Sequence, residues 1–184
     1  MSSSPSAWLQ RHLHRIPKGE VLDLASGAGR NCPPLLAAGH RVLAVDRDPI
    51  LLAEAARLGA DTLCHDLEAE GAVWPFAAQR FAGIVICNYL HRPLFAHILN
   101  SLADGGVLII ETFGQGNEQY GRPRNPQFLL APDELLGLGQ YAPHCSLHVE
   151  AFESGYVEVP APAIIQRVCI IKAAQPCAAA HDNH

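Results

Sequence analysis

The chain has 184 residues, is 49% hydrophobic and 17% charged, and carries a net charge of −5 at pH 7. That length and apolar share suffice for a sizeable core, and the acidic balance argues against nucleic acid as the main partner, which normally demands a basic excess. No stretch reaches the roughly 20 apolar residues a membrane span needs, and the Ser-rich start lacks the apolar core of a signal peptide, so the chain is expected in the cytoplasm.

Cysteine and histidine usage fits that expectation. Cys32, Cys64, Cys87, Cys145, Cys169 and Cys177 form no C-x-x-C pair and are expected as reduced thiols. His144 and His148 are separated by four positions but lie in a strand-like pattern after Pro143, and His181 and His184 lie in a polar tail. No metal site is expected from these spacings.

In chain order, residues 1–6 read as flexible, and Trp8, Leu9, His12, Leu13 and Ile16 recur at helical spacing up to Pro17-Lys-Gly19. A first strand, Glu20–Leu24, runs into the small-residue turn Ala25-Ser-Gly27-Ala-Gly29. A helix follows from about Asn31 to Ala38, with Asn31 as its expected cap and Pro33-Pro34 in its first turn. The second strand, Arg41–Val45, ends at Asp46, and Arg47-Asp48-Pro49 leads into a helix that stops at Gly59. A short third strand, Asp61–Cys64, precedes His65-Asp66-Leu67 and a loop to Arg80. The fourth strand, Phe81–Cys87, ends at Asn88-Tyr89, and a helix over Pro93–Leu102 follows. After the turn Asp104-Gly-Gly comes a fifth strand, Val107–Glu111.

The residues Thr112–Ala131 have no apolar periodicity and are too many for a simple connector, so they are expected to form a lid or binding loop. A short helix over Pro132–Leu138 and a final antiparallel pair, Ser146–Phe152 and Ala163–Ala173, complete the pattern, with a flexible tail from Ala174. Residues 1–173 are expected as one domain.

This alternation predicts an α/β fold: a Rossmann-like, doubly wound, mostly parallel seven-stranded sheet with an antiparallel last strand and helices on both faces. Right-handed crossovers bring the strand ends to one edge, where open α/β sheets bind ligands. Asp23, Asp46, Asp66, Asn88 and Glu111 therefore converge on one cleft. Gly27 and Gly29 let the backbone turn tightly, and free N–H groups of the next helix face whatever occupies the turn. The pattern is that of a nucleotide-type cofactor site.

Two cofactor classes compete. A dinucleotide dehydrogenase requires a third glycine where Cys32 stands, and the chain has no room for a substrate domain. Tyr-x-x-x-Lys is absent, and so is the Gly-Lys-Ser/Thr of a P-loop. By contrast, Asp23-x-Ala25-x-Gly27-x-Gly29 resembles the first motif of class I S-adenosylmethionine-dependent methyltransferases, with Ala25 in place of a glycine. Asp46, His65-Asp66-Leu67, the Phe81–Tyr89 strand and Gly105–Glu111 resemble the later motifs in order. Asn88-Tyr-Leu-His-Arg-Pro-Leu94 and Tyr120-Gly-Arg-Pro-Arg-Asn-Pro resemble a subgroup of small bacterial enzymes of the tellurite-resistance or small-molecule type.

The resemblance implies S-adenosyl-L-methionine as cofactor and S-adenosyl-L-homocysteine as product. It implies that Asp46 accepts from the ribose hydroxyls, Asp66 from the adenine amine, and that Asp23 serves the methionine ammonium. Ala25, Gly27, Gly29, Arg47, Leu67 and Asn88 complete the implied cofactor site. By position His91, Tyr89 and Glu111 are the candidate bases, and Arg92, Arg122 and Arg124 could grip an anionic acceptor. The expected acceptor is a small molecule. RNA or protein methylation and a non-catalytic cofactor-binding subunit remain as alternatives.

Overall fold

The computed structural model describes residues 4–174. The predicted tail beyond that point, with Cys177, His181 and His184, lies outside the described residues, as do residues 1–3 of the N-terminal segment. Seven strands form one sheet: β1 (Glu20–Leu24), β2 (Arg41–Asp46), β3 (Asp61–Cys64), β4 (Phe81–Cys87), β5 (Leu102–Phe113), β6 (Leu147–Val157) and β7 (Ala163–Lys172). Their order is β3-β2-β1-β4-β5-β7-β6. All pairings from β3 to β5 are parallel, and β7 runs antiparallel to both of its neighbours. The Rossmann-like sheet and its antiparallel last strand are as the apolar pattern predicts, and the structure adds that this strand lies between β5 and β6.

Alternation along the strands splits the core in two, because successive side chains point to opposite faces. Leu22, Leu24, Ile84, Ile86, Leu108 and Ile110 pack against helix α4 (Phe95–Ser101), through Phe95, Ile98 and Leu99. Val21, Val42, Ala44, Val85, Val107 and Ile109 pack against the opposite set of helices. These are α1 (Ala7–His12), α2 (Cys32–Ala37) and α3 (Pro49–Arg57), which contribute Trp8, Leu9, Leu35, Leu52 and Ala55. Asp48 caps α3, accepting from the Ile50 N–H at 2.8 Å, and Pro49 fits the first turn, where no partner is lost.

Several boundaries differ from the sequence pattern. β5 begins at Leu102, and the predicted Asp104-Gly-Gly turn lies within it, where the ladder with β4 shifts register. It also runs on through Thr112 and Phe113, paired with Gln166 and Ile165, so the following loop starts two residues later than expected. β6 continues past Phe152 to Val157 although Glu153, Ser154 and Gly155 break the apolar alternation. As the outermost strand it exposes those polar side chains, and its backbone still pairs with Arg167, Gln166 and Ile165. The predicted Pro132–Leu138 helix is a 3₁₀ segment, Glu134–Tyr141, with Gly137 and Gly139 inside it.

A buried cation ties α4 to the far strand. Lys172, 3% exposed, donates from Nζ to the Leu99 and Leu102 carbonyls at 3.0 and 2.7 Å. These carbonyls lie at the C-terminal end of α4, where the helix leaves acceptors without partners and favours positive charge. Lys172→Met keeps the side-chain length but leaves the acceptors unpaired, and should lower stability by about 2–4 kcal/mol in urea denaturation. A loss below 0.5 kcal/mol would show that water replaces the ammonium.

Candidate functional site

The sheet order reverses at β1: the chain winds outward through β2 and β3, then returns to place β4 on the other side of β1. Ligands of open α/β sheets sit at such a switch point, beyond the C-terminal strand ends. Here the chain leaves β1 through a turn with left-handed φ at every second residue: Ala25 at 53°, Gly27 at 54° and Gly29 at 76°. The turn is shaped from β2. Ser26 N–H donates to the Val45 carbonyl at 3.0 Å, and Gly27 N–H donates to Asp46 Oδ2 at 2.8 Å. Asp46 Oδ1 also accepts from Asp48 N–H at 3.0 Å. An ionised carboxylate has about four acceptor positions, so two remain for a ligand.

A cleft of about 200 Å³ opens beside this turn, lined by Ala25, Asp46, Arg47, Asp66 and Leu67 from the predicted cofactor set. His65, Glu68 and Tyr89 line it as well. Asp23 is not on its wall. The side chain is 1% exposed and lies under the turn, with the Cys32 thiol 3.7 Å from Oδ2 and the Asn31 amide hydrogen-bonded to it. Asn31, expected as the α2 cap, makes no capping bond. Its Oδ1 instead accepts from Ser6 N–H at 3.0 Å, so the buried acid is linked to the N-terminal segment.

Burial raises the Asp23 carboxyl to about 7, against the lowering effect of Asn31, Cys32 and Arg30. Because its folded pKa lies above the unfolded one, Asp23 contributes stability in the protonated form, and that contribution is lost as pH rises from about 4 through 7. Asp23→Asn should flatten this part of the stability–pH profile, measured by thermal unfolding between pH 5 and 8. An unchanged profile would assign the slope to other groups. Burial likewise raises the Cys32 and Cys87 thiols to about 12 and Cys169 to about 11, which keeps them neutral and unreactive. Cys64 is the exposed exception among the described cysteines.

The candidate bases and arginines divide. Asn88 sits in the left-handed region at φ 57°, its N–H donating to the Glu111 carbonyl at 2.8 Å, and this brings the ends of β4 and β5 together. Asn88 and Tyr89 line a middle section of the edge with Thr112, Phe113 and Phe128. Asn88, Glu111 and Arg122 then line a larger cavity, about 540 Å³, bordered by Ser4–Ala7, residues 117–122 and the β6–β7 connection. Shared walls, Glu68 and Tyr89 on one side and Asn88 and Phe113 on the other, make the three spaces neighbours along one edge.

His91 lines none of them; its Nδ1 is 3.7 Å from the Glu68 carboxylate. Burial, reinforced by Glu68, raises the Tyr89 phenol, so it is protonated at neutral pH and offers a donor rather than a base. Arg92 is turned toward its own chain, where Nε and Nη2 bind the two Glu134 oxygens at 2.6 and 2.8 Å and further donors reach the Gln127 and Leu129 carbonyls. Burial raises Glu134, but the Arg92 guanidinium and the Ala131 N–H outweigh it and hold the carboxyl below its ordinary value. Arg124 is exposed and lines none of the three spaces.

Several residues of this edge escaped the sequence reading. Ser6 caps α1 by accepting from Leu9 N–H, and its hydroxyl donates to Glu111 Oε1 at 3.0 Å. Arg30 reaches the Ser4 carbonyl at 3.3 Å, and Arg167 sits 3.5 Å from Glu111 Oε2. A charged residue within the mostly apolar run Ala163–Ile171 was the available signal for Arg167, and adjacency to the glycine turn was the one for Arg30. Among the described residues no group of three or more His, Cys, Asp or Glu could hold a metal ion, and no helix is long and apolar enough to cross a membrane.

Comparison with known proteins follows the same geometry. Residues 21–106 match a family model described as a methyltransferase domain. A protein-L-isoaspartate O-methyltransferase from Chlorobaculum tepidum is 32% identical over 111 residues, 58% of this chain. The chain thus spans about half the length of that curated relative, 51%. Among solved structures, an S-adenosylmethionine-dependent methyltransferase from Methanosarcina mazei superposes with a TM-score of 0.69 at 14% identity, covering 94% of this chain and all of that one. A TehB-like S-adenosylmethionine-dependent methyltransferase from Corynebacterium glutamicum gives 0.59 at 23% identity, with 85% and 82% covered. These structures share the fold. The spare acceptor positions on Asp46, the left-handed turn and the adjoining cleft fit S-adenosylmethionine, the cofactor that the sequence motifs imply.

Proposed function

We propose that this chain is a class I S-adenosylmethionine-dependent methyltransferase and that its methyl acceptor is a small molecule. The observation that carries the reading is the row of neighbouring spaces along the sheet edge, where the cleft beside the glycine turn leads past Tyr89 and Asn88 to a larger cavity at the end of β4. When bound, the cofactor supplies an activated methyl carbon. The chain's own residues hold and orient. Asp46 and Asp66 anchor the adenosine half, the turn from Ala25 to Gly29 approaches the methionine half, and Asn88 marks the boundary with the acceptor space. Fixing a nucleophile close to the methyl carbon can account for roughly 7–11 kcal/mol of barrier reduction in favourable cases.

The enclosure of the second cavity supports a small acceptor over a macromolecular one. The N-terminal segment, residues 117–122 and the β6–β7 connection stand around it. The net charge of −5 also disfavours a polyanion. Similarity to the isoaspartate enzyme favours a second reading, methylation of a protein side chain, over the matched half. Isothermal calorimetry with S-adenosylhomocysteine is the first test: we expect micromolar binding. Heat with NAD and none with S-adenosylhomocysteine would overturn the cofactor assignment.

A further inference from the structure

The larger cavity is cationic inside and apolar toward the hairpin, in a protein that is acidic overall. Three arginines from separate elements line it: Arg30 after the glycine turn, Arg122 in the loop following β5, and Arg167 on β7. They share the wall with one carboxylate, Glu111. Glu111 is matched by Arg167 at 3.5 Å, and Arg167 also faces Glu153 at 3.4 Å. Arg30 commits one donor to the Ser4 carbonyl, and a guanidinium has five. The charges on the wall therefore leave a net positive interior. Phe113, Val157, Val159, Pro160, Pro162 and Ile165 supply the apolar side, and Tyr120 packs on Tyr156 with ring centroids 5.3 Å apart. Val159 is 81% exposed, an apolar side chain open to solvent at the cavity's edge.

The same cavity has no free base among its described residues. Glu111 Oε1 accepts from Ser6 Oγ at 3.0 Å, and Oε2 faces Arg167. His91 stands outside, beside Glu68. An acceptor that had to lose a proton during transfer would find no unengaged base among the described residues of the wall, whereas one that arrives as an anion needs none.

We propose that the acceptor is a small amphipathic carboxylate, an aryl or medium-chain alkyl acid, methylated on a carboxylate oxygen; this rests on the methyltransferase reading above. Arg122 and Arg30 draw the carboxylate in, and the hairpin side chains cover its apolar body. One carboxylate oxygen forms the new bond to the methyl carbon as the carbon–sulfur bond breaks. That bonding pair stays on sulfur, leaving neutral S-adenosylhomocysteine and a methyl ester, and no proton moves. Arginine suits this role because its planar fork matches a carboxylate, whose two oxygens still keep lone pairs that the fork does not engage.

The test uses the full chain, with phenylacetate and octanoate as probes and phenylacetamide and octanol as neutral matches. With methyl-tritiated S-adenosylmethionine, the acids should yield label that alkali releases as methanol, and the neutral matches should yield at least tenfold less. Arg122→Gln should raise KM for the acids at least tenfold, leave kcat within threefold, and leave S-adenosylhomocysteine affinity unchanged. Calorimetry on protein loaded with S-adenosylhomocysteine should show the acids binding, and the variant should bind them at least tenfold more weakly. Alkali-stable label, equal use of the neutral matches, transfer confined to an isoaspartyl peptide, or loaded protein that binds neither acid would each overturn the proposal while the methyltransferase reading stands. Failure of S-adenosylhomocysteine itself to bind would remove both.

Discussion

Asp46→Ala should reduce S-adenosylhomocysteine affinity at least 100-fold. Its carboxylate already holds the Gly27 and Asp48 N–H groups at 2.8 and 3.0 Å, which aims the remaining lone pairs into the cleft. Hydrogen bonds to a charged partner contribute about 1.5–3 kcal/mol each, so losing two ribose contacts accounts for two orders of magnitude or more. Asp46→Asn should fall between wild type and alanine, since an amide keeps one acceptor but turns a donor toward either the ligand or the turn. Calorimetry on the three proteins measures the series. Affinity within threefold of wild type in Asp46→Ala would place the ribose elsewhere. Thermal unfolding of the unliganded variants separates binding from damage to the turn, which loses one charged hydrogen bond in either case.

Gly29→Ala should destabilise the protein by about 2–5 kcal/mol, and Gly27→Ala by about 1–2 kcal/mol. Each residue has left-handed φ, 76° and 54°, which costs an L-residue about 1–2 kcal/mol. The surroundings differ. A Cβ on Gly29 would lie 2.7 Å from Ala55 Cβ and 3.0 Å from both Ala55 Cα and Cys32 Sγ, so backbone or helix must move. A Cβ on Gly27 meets nothing within 4 Å. Urea denaturation should therefore rank Gly29→Ala well below Gly27→Ala, while cofactor binding tests the reverse order among proteins that remain folded. Equal stability losses would mean that α3 shifts readily and that the close approach of Ala55 is not a constraint.

Gly29 also answers a question raised by the motif. A dehydrogenase uses its third glycine for close helix packing, and here Cys32 occupies that place. The structure provides the close contact three positions earlier, between Gly29 and Ala55 of α3, and gives Cys32 to the buried Asp23. The spacing of small residues after β1 was visible in the sequence because left-handed φ at alternate positions restricts residue type locally. Which neighbour closes on which glycine was not, because Ala55 is 26 positions away from Gly29 and no local rule links them.

The same division runs through the site. The order of apolar strands, their polar ends and the turn after β1 are local properties, set by side-chain period and backbone sterics. From them the doubly wound sheet and the Asp46–Asp66 cleft follow without coordinates. The acceptor side depends on long-range packing. Ser6, Arg30, Glu111, Arg122 and Arg167 meet only because α1 docks on β5 and the antiparallel β7 inserts beside it. Arg92 shows the limit most clearly: its sequence position beside Asn88 suggests the cleft, yet a bidentate pair with Glu134 and nearby backbone carbonyls hold it elsewhere. Local sequence determined the sheet and its cofactor edge, and tertiary contacts decided which charges face the acceptor, because a guanidinium follows the partners that folding brings within reach.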